Sequence, residues 1–539
     1  MPSKWSSLAM TESSAPVALD LTEMVGEGVT RPGRVPGEVR LEVAAARLPA
    51  VCERVATRLG GRLATMVGED ERVPFGAFRL SFVFAVPPAR WLTIETAIAG
   101  DPPVFPSVTP VVTAAHWYER EVQDLFGMVP IGHPDPRRLV LHDDWPEGVY
   151  PLRKDFDPAV PVPRVTGEPY RFHTLHGEGI LEIPVGPIHA GVIEPGHFRF
   201  AAVGEAILHL ETRLFYTHRG IEKLAEGKRP EHVLQLAERI CGVCACSHAV
   251  AFCQAVEQIG GTTAPPRAAA LRTICLELER LYNHLGDLGN MCAGIGFAVG
   301  ASFGALLKDD LQRLNERLTG NRFLRGVCRL GGVRRDLTAT GAQDLSETVT
   351  SVAARFGEFI NLFLGSETAV ERMVETGILP TETARALGAV GVAARASGLD
   401  LDCRRDHPHA YYDRLPQPVP VVVRHEGDAR ARALTRMDEA IAAFAIIRGL
   451  LANLPEGALG VDLGPLPADR VGFSATESPR GENLHWVRTG KDGTIARYRI
   501  RSASYPNWPA VAAAVPGNMV PDFPLINKSF ELCYACLDR

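Results

Sequence analysis

What the sequence lacks narrows its function before any motif is read. Basic residues are not in excess: 57 Lys and Arg against 63 Asp and Glu leave a net charge of −6, without the positive footprint that nucleic-acid binding demands. No secretory leader is visible, because MPSKWSSLAMTESSAPVALD carries no apolar central stretch and reads as a mobile tail over residues 1–25. No repeat of solenoid length is present. One uncharged run of seventeen residues, Met291 to Leu307, approaches a membrane span, but its many Gly and Ala residues suit a buried helix packed closely in a bundle. A membrane would then be met through partners.

What is present is ordinary in bulk and unusual in detail. At 539 residues, 46% hydrophobic and 22% charged, the chain has the material for two or more globular domains. VRLEVAAARLPAVCERVATRLGGRLATMV reads as strand, helix, Gly-Gly turn, strand. Phe78, Leu80, Phe82, Phe84 and Val86 then alternate at period two, and Leu92, Ile94 and Ile98 repeat the pattern. DFDPAVPVPR (155–164) favours extended backbone and marks a linker. Beyond it helical spacing takes over, with one stripe of Ile207, Leu210, Leu214, Ile221 and Leu224 and another of Leu271, Ile274, Leu278, Leu281 and Leu285. Short strands are expected again in PLPADRVGFSATESPRGENLHWV and GTIARYRIRSAS. The fold class is α+β: a small N-terminal α/β sandwich-like domain (26–160), then a large, mostly α-helical domain with minor β (165–539).

Eleven cysteines without a leader indicate reduced thiols, where close pairs more often bind metal than form disulfides. Two Cys-x-x-Cys pairs stand out, Cys241 with Cys244 and Cys533 with Cys536. Each turn presents two thiolates to a thiophilic metal. Spacing alone leaves structural zinc, an iron–sulfur cluster and another buried metal open.

The surroundings carry a resemblance. RICGVCACSHAVAFCQAVE, the terminal CYACLDR and ESPRGENLHW resemble three site motifs of nickel–iron hydrogenase large subunits. GPIHAGVIEPGHFRF and YTHRGIEKLAEGK resemble the start of the catalytic subunit in energy-converting, formate hydrogenlyase-type hydrogenases and of its complex I relative. HWYEREVQDLFGMVPIGHPDPRRLVLHDDWPEGVYPLRKDF is similar to the small hydrophilic subunit of complex I.

The resemblance implies a nickel–iron centre with Cys241, Cys244, Cys533 and Cys536 as nickel ligands, Cys244 and Cys536 also bridging to iron, and carbon monoxide and cyanide completing the iron. A magnesium ion is a further expectation. Hydrogen is split heterolytically in this family, and Cys533 is the first choice for the base that takes the proton. Glu194 would pass that proton on, with His189 and His197 as extensions that fit a structural role equally well. His248 would hydrogen-bond a bridging cysteine, and Arg480, after Pro479, would face the iron and substrate. Cys52, Cys246, Cys253, Cys275, Cys292, Cys328 and Cys403 read as buried thiols.

The charges at Glu119, Arg120, Glu121, Asp124, Arg137, Arg138, Arg153 and Lys154 read as a surface for assembly with the cluster-bearing neighbour. Expected partners are an iron–sulfur small subunit of the complex I type, ferredoxin-like electron-transfer subunits, integral membrane subunits and a formate dehydrogenase. No iron–sulfur cluster is expected in the chain itself. The location implied is cytoplasmic, peripheral on the inner face of the cytoplasmic membrane. Glu531-Leu532 replaces the family's usual Asp-Pro, which puts the loop geometry before Cys533 in question. Two rivals are a metal-free, quinone-linked complex I subunit and a non-catalytic zinc-binding scaffold.

Overall fold

The computed structural model describes residues 28–189 and 193–539; the expected tail at 1–25 lies outside them. The architecture is mixed α+β. The N-terminal part centres on a five-stranded sheet in the order Val29–Arg31, Glu38–Glu42, Arg90–Ile98, Ala77–Val86, Arg62–Glu71. Neighbours are antiparallel except Glu38–Glu42 against Arg90–Ile98. The expected strand–helix–turn–strand is there, with helix Leu48–Arg58 burying Leu48, Val51, Cys52 and Val55 under Phe78, Leu80, Phe82 and Phe84.

The opposite face of this sheet is covered as well. Ala64, Val67, Val83 and Trp91 pack against Phe473, Ala475, Leu484 and Trp486 of a second, three-stranded sheet (Val471–Ser478, Gly481–Thr489, Ile495–Arg501). Buried arginines fasten the two sheets. Arg497 donates to the Gly68 carbonyl at 2.9 Å, Arg501 to that of Ala64 at 2.7 Å, and Arg62 makes both of its bonds to Glu482, at 2.8 and 2.9 Å. A planar guanidinium with five donors suits this bridging of backbone and carboxylate acceptors.

At Glu119, Arg120, Glu121 and Asp124 the charge-dense N-terminal segment turns inward, and for these four the expectation of an assembly surface is corrected. Glu119 accepts from Ser107, Val108 and Thr109, and Asp124 accepts the backbone N–H groups of Leu139, Val140 and Leu141. Glu121 bonds Arg499 and Arg539, while Lys154 bonds Glu226. Glu119, Glu121 and Asp124 are buried and satisfied within the chain, as a buried charge requires, whereas Lys154 stays exposed.

A second correction concerns Ile207, Leu210 and Leu214. They belong to a β-hairpin, His197–Val203 with Ala206–Arg213, and the connecting stretch after it; only Ile221 and Leu224 are helical, in Ile221–Ala225. A bulge between Ile207 and His209 inserts one residue, so positions three apart share a face and imitate helical spacing. The larger part therefore holds more strand than its periodicity suggested.

Its core is built on helices Ala245–Ile259, Pro266–Gly294, Ala298–Thr319, Ala339–Leu364 and Ala429–Ala452. The Leu271 to Leu285 stripe lies on Pro266–Gly294 as expected. The uncharged run from Met291 to Leu307 is not one helix: it breaks at Ile295–Phe297, with Gly296 at φ +76°, and folds back as a hairpin. Among the described residues no helix is long and apolar enough to cross a membrane.

The small residues serve contact between the two arms. A Cβ on Gly304 would stand 2.6 Å from the Gly289 Cα, where only backbone surrounds it. Gly304→Val is expected to lower unfolding free energy by about 1–3 kcal/mol or more, through forced separation of the helices. Chemical denaturation checks this, and unchanged stability would show that the arms do not touch.

Candidate metal centre

Two loops of similar construction meet in the core. Cys241 begins the first, and Cys244 is the residue before helix Ala245–Ile259. Cys533 caps helix Tyr534–Asp538, its sulfur accepting the Cys536 N–H at 3.4 Å, as the Cys241 sulfur accepts that of Val243 at 3.1 Å. Each sulfur thus faces inward from a helix start.

Nearly three hundred residues apart in sequence, the pairs converge. Cys241 Sγ lies 3.2 Å from Cys533 Sγ, Cys244 Sγ lies 3.3 Å from Cys536 Sγ, and Cys241 and Cys244 are 3.5 Å apart. The Cys241, Cys244 and Cys536 sulfurs satisfy metal-holding geometry, the only such group among the described residues. Four thiolates cannot share this volume without cations or protons between them. The crowding shows in the thiols: pairing with Cys241 and Cys536 lowers Cys244 to about 6, whereas pairing with Cys241 and burial push Cys533 up to about 12. The donor set fits a thiophilic metal in place of those protons.

The convergence is fastened by residues that the motifs did not advertise. Arg219 donates to the carbonyls of Arg239 (3.0 Å) and Ile240 (2.7 Å) on one loop and Ala535 (2.8 Å) on the other. Asp538 accepts from the Phe215 and Thr217 N–H groups and the Thr217 hydroxyl. Arg539 reaches Glu222 at 2.8 Å and Glu121, from the N-terminal part, at 2.6 Å. Glu279 holds the start of the Cys244 helix by accepting from Cys246 N–H, Ser247 N–H and the Ser247 hydroxyl, and burial raises its carboxyl to about 7. The signal for Arg219 and Glu222 was present in YTHRGIEKL, but their partners are distant in sequence.

His248 is fully buried, with Nε2 at 3.6 Å from Cys536 Sγ and Nδ1 at 2.8 Å from His485 Nε2. Burial lowers its pKa to about 3, so the ring is neutral. Pro479 and Arg480 form the two-residue turn between strands Val471–Ser478 and Gly481–Thr489. Gly481 (φ +126°) is required there, since a Cβ would lie 2.7 Å from Gly391 N.

Arg480 is clasped by both oxygens of Asp287, which the sequence did not indicate, and its Nε has no partner among the described residues. Nearby Glu531 stands 4.0 Å from Arg480 and receives an N–H from Asn290 at 2.5 Å; burial, then Asp287, raises it to about 7. Its φ of +51° ends helix Phe523–Phe530.

Glu194 is exposed but reaches the site: partial burial and then Cys533 raise its pKa, and its carboxylate accepts the Ala535 N–H. Gly196 allows that loop to lie on Tyr534, 2.5 Å from a would-be Cβ. His189 and His197 bond the carbonyls of Gly196 and Gly186, a structural role. The seven other cysteines are buried, and Cys246 hydrogen-bonds Cys275 and Cys328. No carboxylate group with metal-holding geometry occurs among the described residues, so a magnesium site is not carried further.

Comparison with known proteins defines the class first. The nickel-dependent hydrogenase family matches residues 219–288, the respiratory-chain NADH dehydrogenase 49 Kd subunit family matches 295–464 and 461–539, and the 30 Kd subunit family matches 41–161. Formate hydrogenlyase subunit 5 of Escherichia coli (strain K12) is 38% identical over 91% of this chain and 87% of its own length. Hydrogenase-4 component G of the same organism is 35% identical over 96% and 91%. An NADH-quinone oxidoreductase subunit of Phocaeicola vulgatus is 30% identical over 81% and 87%. The chain belongs to the nickel–iron hydrogenase catalytic subunits of the formate hydrogenlyase and hydrogenase-4 type, with domains related to both complex I subunits fused in one polypeptide.

The Arg480–Asp287 pair is buried, so removing one partner strands the other. Asp287→Ala is expected to cost about 3–5 kcal/mol in unfolding free energy. Arg480→Met added to it should recover part of that loss, because the orphaned charge goes too. Equal stability of the single and double variants in urea titrations would contradict the pairing.

Proposed function

We propose that Cys241, Cys244, Cys533 and Cys536 hold nickel, that Cys244 and Cys536 also reach an iron carrying carbon monoxide and cyanide, and that the site interconverts hydrogen with protons and electrons. The observation that carries this reading is the meeting of four sulfurs from opposite ends of the large domain at 3.2–3.5 Å. When bound, the bimetallic centre supplies the two-electron chemistry of dihydrogen. The protein's part is to move protons and shape the field.

Cys533 is the base. It is the half-buried member of the set, the other three being buried, and it lies within electrostatic reach of Glu194, so a proton taken there has an outward path. Glu194 takes the proton outward: its raised pKa keeps a carboxylic acid populated at higher pH than a free glutamate, and it is open to solvent. Arg480, with its free Nε–H, aligned by Asp287 and within electrostatic reach of Cys244, supplies fixed positive charge toward the substrate side. His248 donates to Cys536 and moderates that ligand.

Electrons leave through a partner bearing an iron–sulfur cluster, followed by ferredoxin-like subunits, and integral membrane subunits hold the assembly at the inner face of the cytoplasmic membrane. The supporting observation is that the relatives are named as a subunit of formate hydrogenlyase and a component of hydrogenase-4. A formate dehydrogenase is a natural electron source for an enzyme of this type. The domain boundary is proposed within the segment 155–164, which holds no helix or strand.

Metal analysis of anaerobically purified protein is expected to give nickel with iron; zinc, or no metal, would overturn this function. Cys533→Ser is expected to abolish hydrogen turnover, and undiminished activity would remove it as ligand and base. Glu194→Gln is expected to slow hydrogen–deuterium exchange by about 10²–10⁴-fold with nickel content unchanged. Normal exchange would exclude Glu194 from the relay.

A further inference from the structure

Three hydrogen bonds lead from Cys536 into the core. His248 Nε2 faces Cys536 Sγ at 3.6 Å, His248 Nδ1 faces His485 Nε2 at 2.8 Å, and His485 Nδ1 faces the Tyr498 hydroxyl at 2.7 Å. All three side chains are 0% exposed. They come from different elements: helix Ala245–Ile259 carries His248, and adjacent strands Gly481–Thr489 and Ile495–Arg501 carry His485 and Tyr498. In the sheet His485 pairs with Ile500 and Val487 with Tyr498, so the two side chains are diagonal neighbours on one face.

A neutral imidazole has one N–H, so such a line is polarised one way from end to end. The buried end decides which way. The Tyr498 ring packs edge-on against Phe252 at 5.3 Å, and His485 is the only hydrogen-bond partner of its hydroxyl among the described residues. Were that oxygen to accept, its own proton would be an orphan donor in the core, whereas an idle lone pair is tolerated. Tyr498 therefore donates to His485 Nδ1. His485 must carry its proton on Nε2 and donate to His248 Nδ1, and His248 is left with its N–H on Nε2, aimed at the sulfur.

We propose that His485 and Tyr498 are positioning residues that lock both imidazoles as Nε2–H tautomers and thereby present a hydrogen-bond donor to Cys536. The proposal rests on the reading of Cys536 as a metal ligand. A donor on a ligating thiolate withdraws electron density from sulfur, so the line sets how strongly Cys536 donates to the metal, although Tyr498 touches neither metal nor substrate.

Histidine 15N chemical shifts in the full-length protein test the tautomers directly. Protonated Nε2 and bare Nδ1 are expected for both His248 and His485, and a protonated Nδ1 on either ring in the wild-type protein overturns the proposal. Tyr498→Phe keeps the ring against Phe252 and removes only the hydroxyl. In that variant both rings should keep Nε2–H, because an idle Nδ1 lone pair is tolerated where an orphan Nδ1–H is not, and the His485 Nδ1 resonance should shift for want of its donor. In the nickel-loaded form the centre's reduction potential should fall and its nickel electron-paramagnetic signal shift, with nickel content unchanged. A folded, nickel-loaded Tyr498→Phe with an unaltered His485 Nδ1 resonance and an unaltered potential also overturns it. Should that variant fail to fold, the wild-type tautomer measurement decides alone. A wild-type protein without nickel would defeat the proposed function, while the tautomers remain measurable on the unloaded chain.

Discussion

Sulfur atoms at 3.2–3.5 Å repel unless something positive lies among them, and nothing in a thiol's own packing would draw four together in a core. The rest of the molecule is arranged to hold them there. Arg219 ties both cysteine loops through three carbonyls, and Asp538 and Arg539 fix the chain end that carries Cys533 and Cys536. These are charged groups bonded in the core, where an unmet charge is costly and a met one is geometrically exacting. They specify position more than they add stability.

That requirement explains why the N-terminal part is continuous with the site instead of appended to it. Glu121 shares Arg499 and Arg539 with Glu222, so one carboxylate from the small sheet's domain completes the anchorage of the C-terminal segment. The arginines of strand Ile495–Arg501 work in both directions, outward to the first sheet and inward to the chain end. A surface of paired charges, as the residue pattern first suggests, is in fact the seam between two parts of one chain.

Polar groups around the centre divide into two sets with different physics. Arg480, Asp287, Arg436 and Glu531 form a charged group whose members shift one another, holding Asp287 well below the usual carboxylate range while Glu531 rises. His248, His485 and Tyr498 form a neutral group, in which burial suppresses imidazole charge and hydrogen-bond direction carries the information. The first set supplies field and the second supplies a donor of fixed orientation.

Much of this was legible in the residues. Cysteine spacing and His248 pointed to side chains that lie together in the fold, and period-two alternation located strands Ala77–Val86 and Arg90–Ile98. Ile207 and Leu210 misled because a bulge is a backbone event with no residue type of its own, and Met291–Leu307 misled because composition does not show where a glycine turns the chain. Asp287, Glu279, Arg219 and Tyr498 were hidden for another reason: each acts through a partner tens to hundreds of residues away, and no local pattern records that pairing. The sequence by itself determined which ligands and charges are available and in what order. Only the tertiary structure decided which of them meet, because the contacts that define the centre are long-range, and their geometry is set by the packing of buried arginines and carboxylates between elements.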